Sequence, residues 1–184
     1  MKDATNKKQN NLPNATVENG LLIATPNGDK LIETLTIGDA VSSASIELAG
    51  NKVQLKWSNE LVDKMFDTKK KVNPFTVYIN YGDDTQAMVC TSEQPFLLSN
   101  GKCIIAERLR PGMYLIDKKG KHVRLNALSF GSYEGGEYAF STNKPWTKNI
   151  EGRLILMNGV VAGDYLLQKK FNQLPDSLKE DLNS

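Results

Sequence analysis

From Thr16 onward the chain alternates short apolar runs with clusters of turn-forming residues. LLIAT, AVSSASIELA, KVQLKW, FTVYINY, QAMVCT, PFLL, MYLID, HVRLNALSF, EYAFS and RLILMNGVVA follow one another, separated by segments such as PNGD, GN, GDD, SNG and KKGK. Runs of this length, rich in β-branched and aromatic residues, suit strands better than helices. Their repetition predicts an all-β domain. Asn27-Gly28 and Asn100-Gly101 accept the positive φ of tight hairpin turns, so each predicts a hairpin. Helical pattern is sparse. Asn59 to Asp67 places Leu61, Val62, Met65 and Phe66 on one face and predicts one short inserted helix, and Ser177 to Asn183, after Pro175, predicts a terminal one.

Two segments echo each other. Lys30 to Val41 (KLIETLTIGDAV) and Cys103 to Ile116 (CIIAERLRPGMYLI) both run an apolar pair, an acidic residue, a Leu, then a Gly and a strand. That is the pattern of a pseudo-duplicated β fold. Residues 1–15 hold almost nothing apolar and predict a flexible leader, because burial cannot offset the entropy of ordering them. The domain is expected over residues 16–168, with a C-terminal tail, helical in part, over 169–184.

Composition narrows the function classes. The 184 residues, 40% hydrophobic, suffice for one substantial core. A net charge of +2 supplies no basic face of the strength that phosphate neutralisation demands, so nucleic acid is not an expected partner. No apolar run reaches the length of a membrane span and the basic N-terminus lacks the apolar core of a signal peptide, so a soluble chain with no membrane partner is expected. Its compartment stays open. Cys90, Cys103 and His122 are too few for a four-ligand Cys/His zinc site, and no cofactor is expected. Both cysteines sit in apolar runs and read as buried thiols, while the Lys69-Lys70-Lys71 run reads as solvated surface.

Three blocks carry a family resemblance. Gly20-Leu-Leu-Ile-Ala-Thr25-Pro-Asn-Gly28 with Ile32-Glu33-Thr34-Leu35-Thr36-Ile37-Gly38-Asp39-Ala40-Val41 resembles the opening of Hint domains, the family of inteins and hedgehog autoprocessing domains. Thr91-Ser-Glu-Gln94-Pro95-Phe96-Leu97, followed by Ala106-Glu107-Arg108-Leu109-Arg110-Pro111-Gly112, resembles their second block, T-x-x-H-P-F and A-x-x-L-x-x-G. Asn158-Gly159-Val160-Val161-Ala162-Gly163-Asp164 resembles the closing N-G-V-x-V-H-N-like block. The resemblance implies a Hint-type fold and four site positions, Thr16, Thr91, Gln94 and Asp164, with flanking segments of the same chain as the partner.

At those positions the chain departs from the family. Thr16 stands where the resemblance places a nucleophilic cysteine, and a hydroxyl is far harder to deprotonate than a thiol. Gln94 replaces the assisting histidine and cannot shuttle a proton near neutral pH, a loss of about 3–5 kcal/mol of barrier lowering if nothing substitutes. Gly163 and Asp164 replace the closing histidine and the cyclising asparagine, and Tyr165 is none of the Ser, Thr or Cys that accept the transferred segment. The expectation is a Hint-like domain that does not splice and serves as a structural or binding module. The alternative is cleavage of Ala15–Thr16 by an N-to-O acyl shift from Thr16, aided by Thr91, Gln94 and Asp164. Each residue also has a plainer role: Thr16 as a strand threonine, Gln94 as a structural hydrogen bonder, His122 as a strand residue, and Asp164 as the cap of a helix over Tyr165 to Phe171.

Overall fold

A computed structural model describes residues 17–18, 20–83 and 86–180, for residues 69–71 the backbone alone. The leader, Thr16 and the last four residues lie outside the described residues. The strands are β1 (Val17–Glu18), β2 (Leu22–Thr25), β3 (Gly28–Leu31), β4 (Ala40–Ala49), β5 (Lys52–Tyr81) and β6 (Gln86–Thr91). They continue as β7 (Pro95–Leu97), β8 (Cys103–Ile105), β9 (Tyr114–Ile116), β10 (His122–Thr142), β11 (Leu154–Met157) and β12 (Val160–Gly163), before one helix, α1 (Tyr165–Lys170). All pairings between these strands are antiparallel, and the main path runs β8-β7-β12-β11-β4-β5-β6-β1-β10-β9. Because β10 pairs with both β5 and β1, and β6 with both β5 and β1, these four strands close a ring.

The all-β expectation holds, but neither the inserted nor the terminal helix appears among the described residues: the segment from Ser177 lies in a single 3-10 turn, Asp176–Leu178, followed by extended Lys179, and residues 181–183 lie outside them. Asn59 to Asp67 is not helical: it is the middle of β5. Glu60 and Leu61 pair with Val41 and Ala40 of β4, and Val62, Met65 and Phe66 pair with Thr142, Phe140 and Ala139 of β10. Nine residues with an apolar face form a marginal helix alone. Two long partner strands take the segment up instead, β4 as far as Leu61 and β10 from Val62 onward, and that tertiary pairing overrides the local period. Length is likewise longer than the apolar runs implied, since KVQLKW and FTVYINY belong to one strand, as do HVRLNALSF and EYAFS. Pro74 survives within β5 because it falls between Asn73↔Tyr133 and Thr76↔Gly131, a bulge where it displaces no ladder donor.

The internal echo is structural. Ile32–Thr34 and Ala106–Arg108 are both single 3-10 turns, in which Leu35 and Leu109 donate to Ile32 O and Ala106 O, each at 3.1 Å. Next, Asp39 N donates to Thr36 O and Met113 N to Arg110 O, again at 3.1 Å. Gly38 and Gly112, both at φ 92°, then donate to Val62 O and Leu125 O at 2.8 Å. That conformation favours glycine over any residue with a Cβ, which explains its place in both repeats. The two expected Asn-Gly hairpins differ: β2–β3 turns at Pro26-Asn27, with Gly28 already paired to Thr25, whereas Asn100-Gly101 lies inside the longer β7–β8 loop between Leu97 and Cys103.

A third hairpin joins β11 to β12. Asn158 (φ 48°) and Gly159 (φ 85°) are its two loop residues between Met157 and Val160, the backbone of a tight primed turn. The Asn158 side chain pins the turn to β6 and β5, donating to Ala87 O at 3.0 Å and to the Tyr81 hydroxyl at 3.1 Å. Both strands are wholly buried, between one apolar cluster that includes Ile23, Phe96 and Phe140 and another that includes Leu97, Cys103, Leu167 and Leu174. Here the chain's central strands end, and here the candidate residues collect.

Candidate functional site

Register around the Asn158-Gly159 turn decides the first contact. Leu154 opposes Gly163, so the next position brings Arg153 opposite Asp164, and Asp164 N donates to Arg153 O at 2.9 Å. Arg153 Nη1 donates to Asp164 Oδ2 at 2.7 Å, with both side chains essentially inaccessible. The same nitrogen donates to Thr142 O at 3.1 Å, and Thr142 N returns a bond to Asp164 Oδ2 at 3.0 Å. The other carboxylate oxygen accepts from Leu167 N at 2.9 Å, which makes Asp164 the N-cap of α1. Burial pushes the Asp164 carboxyl above the usual range, while Arg153 and the two amides pull it back toward the charged form.

Gln94 sits across the β7–β12 pairing, fixed by Ala162↔Phe96. Its Nε2 donates to Gly163 O at 2.9 Å and to Pro95 O at 3.0 Å, so a fully buried carboxamide ties the second block to the closing one. Thr91, also buried, accepts on its hydroxyl from Gln168 Nε2 of α1 at 3.4 Å. Gln168 N in turn donates to Asp164 O at 3.1 Å. Gly163 is extended, and its lack of a side chain is a packing requirement: a Cβ there would meet Leu167 Cδ2 at 2.7 Å and Pro95 Cβ at 3.0 Å.

The structure therefore brings Thr91, Gln94 and Asp164 into one buried polar cluster. Thr16 lies outside the described residues, but Val17 enters the sheet opposite Cys90, one residue from Thr91. His122 is exposed at the start of β10, its ring 5.7 Å from that of Tyr114, and takes no part in the cluster. Burial pushes both thiols up, that of Cys103 to about 12, and both are free. Among the described residues no group of three or more His, Cys, Asp or Glu could hold a metal ion, and no helix is long and apolar enough to cross a membrane.

Solved structures share this architecture. The solution structure of a bacterial intein-like domain from Clostridium thermocellum superposes with a TM-score of 0.66, at 16% identity over 82% of this chain and 99% of that one. The fold is that of the inteins. The gp41-1 intein matches with a TM-score of 0.56, at 20% identity over 83% of this chain and all of the other. A DnaB intein from Synechocystis matches at 0.60 and 11% identity, covering 82% of this chain and 98% of that one. No family model and no curated protein matches at the level of sequence. The Hint fold thus persists here with a sequence far from those of its structural neighbours.

Three residues of the cluster, Arg153, Thr142 and Gln168, escape sequence reasoning. Arg153 had a signal. Reading Asn158-Gly159 as a hairpin turn places residues 153 and 164 symmetrically about it and pairs the arginine with the aspartate. Thr142 and Gln168 had none, because each reaches the cluster across the fold, from β10 and from α1.

Proposed function

We propose that this chain is a Hint-like domain that does not splice and that serves as a structural or binding module. The observation that carries the reading is the state of Asp164. Release of a C-terminal segment by the family's route needs a side-chain amide nitrogen free to attack the residue's own carbonyl carbon. Asp164 has no such nitrogen, and both its oxygens are spent, on Arg153 and Thr142 on one side and on the α1 cap on the other. The chain beyond it belongs to the domain: Leu167, Phe171 and Leu174 are buried in the second apolar cluster. Removing them would expose three large side chains, each worth about 1.5–3 kcal/mol of burial.

A second reading has one observation in its favour, the entry of β1 beside Thr91. In it the Thr16 hydroxyl oxygen attacks the Ala15 carbonyl carbon, the bond to the Thr16 nitrogen breaks, that nitrogen takes up the proton, and an ester results. One experiment separates the two. A folded tag is placed before residue 1 and the intact mass followed over several days, with and without hydroxylamine. An unchanged mass is expected. Loss of the tag at Ala15–Thr16, faster with hydroxylamine and abolished by Thr16→Ala, would replace the first reading with the second.

A further inference from the structure

Asn-Gly occurs three times, at 27–28, 100–101 and 158–159, and the fold holds the three pairs differently. An asparagine followed by glycine can lose its side-chain amide when the glycine nitrogen attacks Cγ, because a residue without a Cβ lets that nitrogen swing into reach. The carboxamide must be free to turn, and the glycine amide must be released from its own bonds. At Asn100 both are held. Its Oδ1 accepts from Lys102 N at 3.0 Å, its Nδ2 donates to Glu180 Oε2 at 2.6 Å, and the buried Gly101 donates its N–H to Leu98 O at 3.0 Å. At Asn158 the carboxamide is pinned across the fold, with Nδ2 donating to Ala87 O at 3.0 Å and to the Tyr81 hydroxyl at 3.1 Å. Asn27 is the least restrained. Pro26, Asn27 and Gly28 are all exposed, and among the described residues the Asn27 side chain makes no hydrogen bond; only its backbone N–H is used, toward Thr25 Oγ1 at 3.3 Å. Gly28 pairs with Thr25 at the last rung of the β2–β3 hairpin, so fraying of one exposed end releases its amide.

We propose that Asn27 is a site of self-modification, at which Gly28 N displaces ammonia from the Asn27 side chain. The Gly28 N–H gives its proton to water, the nitrogen bonds to Asn27 Cγ, the Cγ–Nδ2 bond breaks, and Nδ2 takes up a proton and leaves as ammonia. Water then opens the cyclic imide at one of its two carbonyls. Opening at the former backbone carbonyl leaves an isoaspartate, with the chain running through the old side chain; opening at the other leaves an aspartate. No cofactor and no further residue is required. The product places a new carboxylate in the recess lined by Asp29, Lys30 and Asp39, where Lys30 Nζ stands 2.6 Å from Asp39 Oδ2. The step uses neither Thr16 nor the Asp164 cluster, so it stands apart from both readings of the function.

Peptide mapping by mass spectrometry on the full chain tests this. The folded chain is held for several days in mildly alkaline buffer beside a sample unfolded in urea, and amide-to-acid conversion and isoaspartate are followed at the three asparagines. In the folded chain Asn27 is expected to convert at least about tenfold faster than Asn100 or Asn158, since two side-chain hydrogen bonds restrain each of those. In urea the three rates should converge, because glycine follows each asparagine. Any order in the folded chain in which Asn27 is not the fastest, including no conversion at all, overturns the proposal. A preference for Asn27 that persists in urea also overturns it, by assigning the selectivity to local sequence and not to the fold.

Discussion

Asp164→Asn would install the residue type that the intein resemblance places there, and the structure predicts that it damages the fold. Asparagine caps a helix about as well as aspartate, so the bond from Leu167 N survives. The other oxygen becomes an NH₂ group facing two donors, Arg153 Nη1 and Thr142 N, which stand at 2.7 and 3.0 Å from Asp164 Oδ2. Turning the amide over mends that contact and forfeits the cap, at about 1 kcal/mol. Worse, Arg153 remains charged inside the protein, since a guanidinium does not deprotonate. Breaking a buried pair from one side costs about 3–5 kcal/mol, a large part of the roughly 5–15 kcal/mol that holds a domain together. With a urea slope of about 2 kcal/mol/M, the midpoint falls by roughly 2 M. Arg153→Met should cost less, because the orphaned Asp164 carboxyl, already pushed up by burial, can take a proton and go neutral. The double variant Asp164→Asn/Arg153→Met should be more stable than Asp164→Asn alone. Urea unfolding of all four chains measures the cycle. A cost below about 1 kcal/mol for Asp164→Asn, or a double variant equal to the sum of the singles, refutes the reasoning.

Two further outcomes follow from the same geometry. Gly163→His, which restores the family's closing histidine, forces a Cβ to within 2.7 Å of Leu167 Cδ2; the melting temperature should fall by an amount corresponding to about 1–3 kcal/mol, and Gly163→His/Leu167→Ala should not relieve it fully because Pro95 also stands in the way. Glu18 lies opposite Glu137 in the β1–β10 pair, and burial raises its carboxyl above the ordinary value of 4.5. A raised acid favours the fold while protonated, so its contribution is fully present below 4.5 and is lost as pH rises through the raised value. Glu18→Gln should therefore be more stable than the parent at pH 7 and equal to it below pH 4.5, which denaturation at the two pH values would show.

The sequence by itself determined the all-β class, several individual strands and the Hint blocks. QAMVCT and AVSSASIELA became β6 and β4 without adjustment, and the echo of KLIETLTIGDAV in CIIAERLRPGMYLI became two matched 3-10 turns. Such features rest on neighbours within a few residues, through alternation, positive-φ glycines and short hydrogen bonds, so a linear pattern suffices to show them. The cap on α1 was legible for the same reason, since Asp164 and Leu167 are three residues apart. Only the tertiary structure decided that Asn59 to Asp67 is strand, because the ladders of β4 and β10 come from distant parts of the chain. Only it brought Gln168 to Thr91 and Thr142 to Asp164, and only it showed the tail built into the second apolar cluster. Burial is the reason: a carboxylate written as a lone Asp after an apolar run acquires its partner, its charge balance and its cost once the fold excludes water from around it.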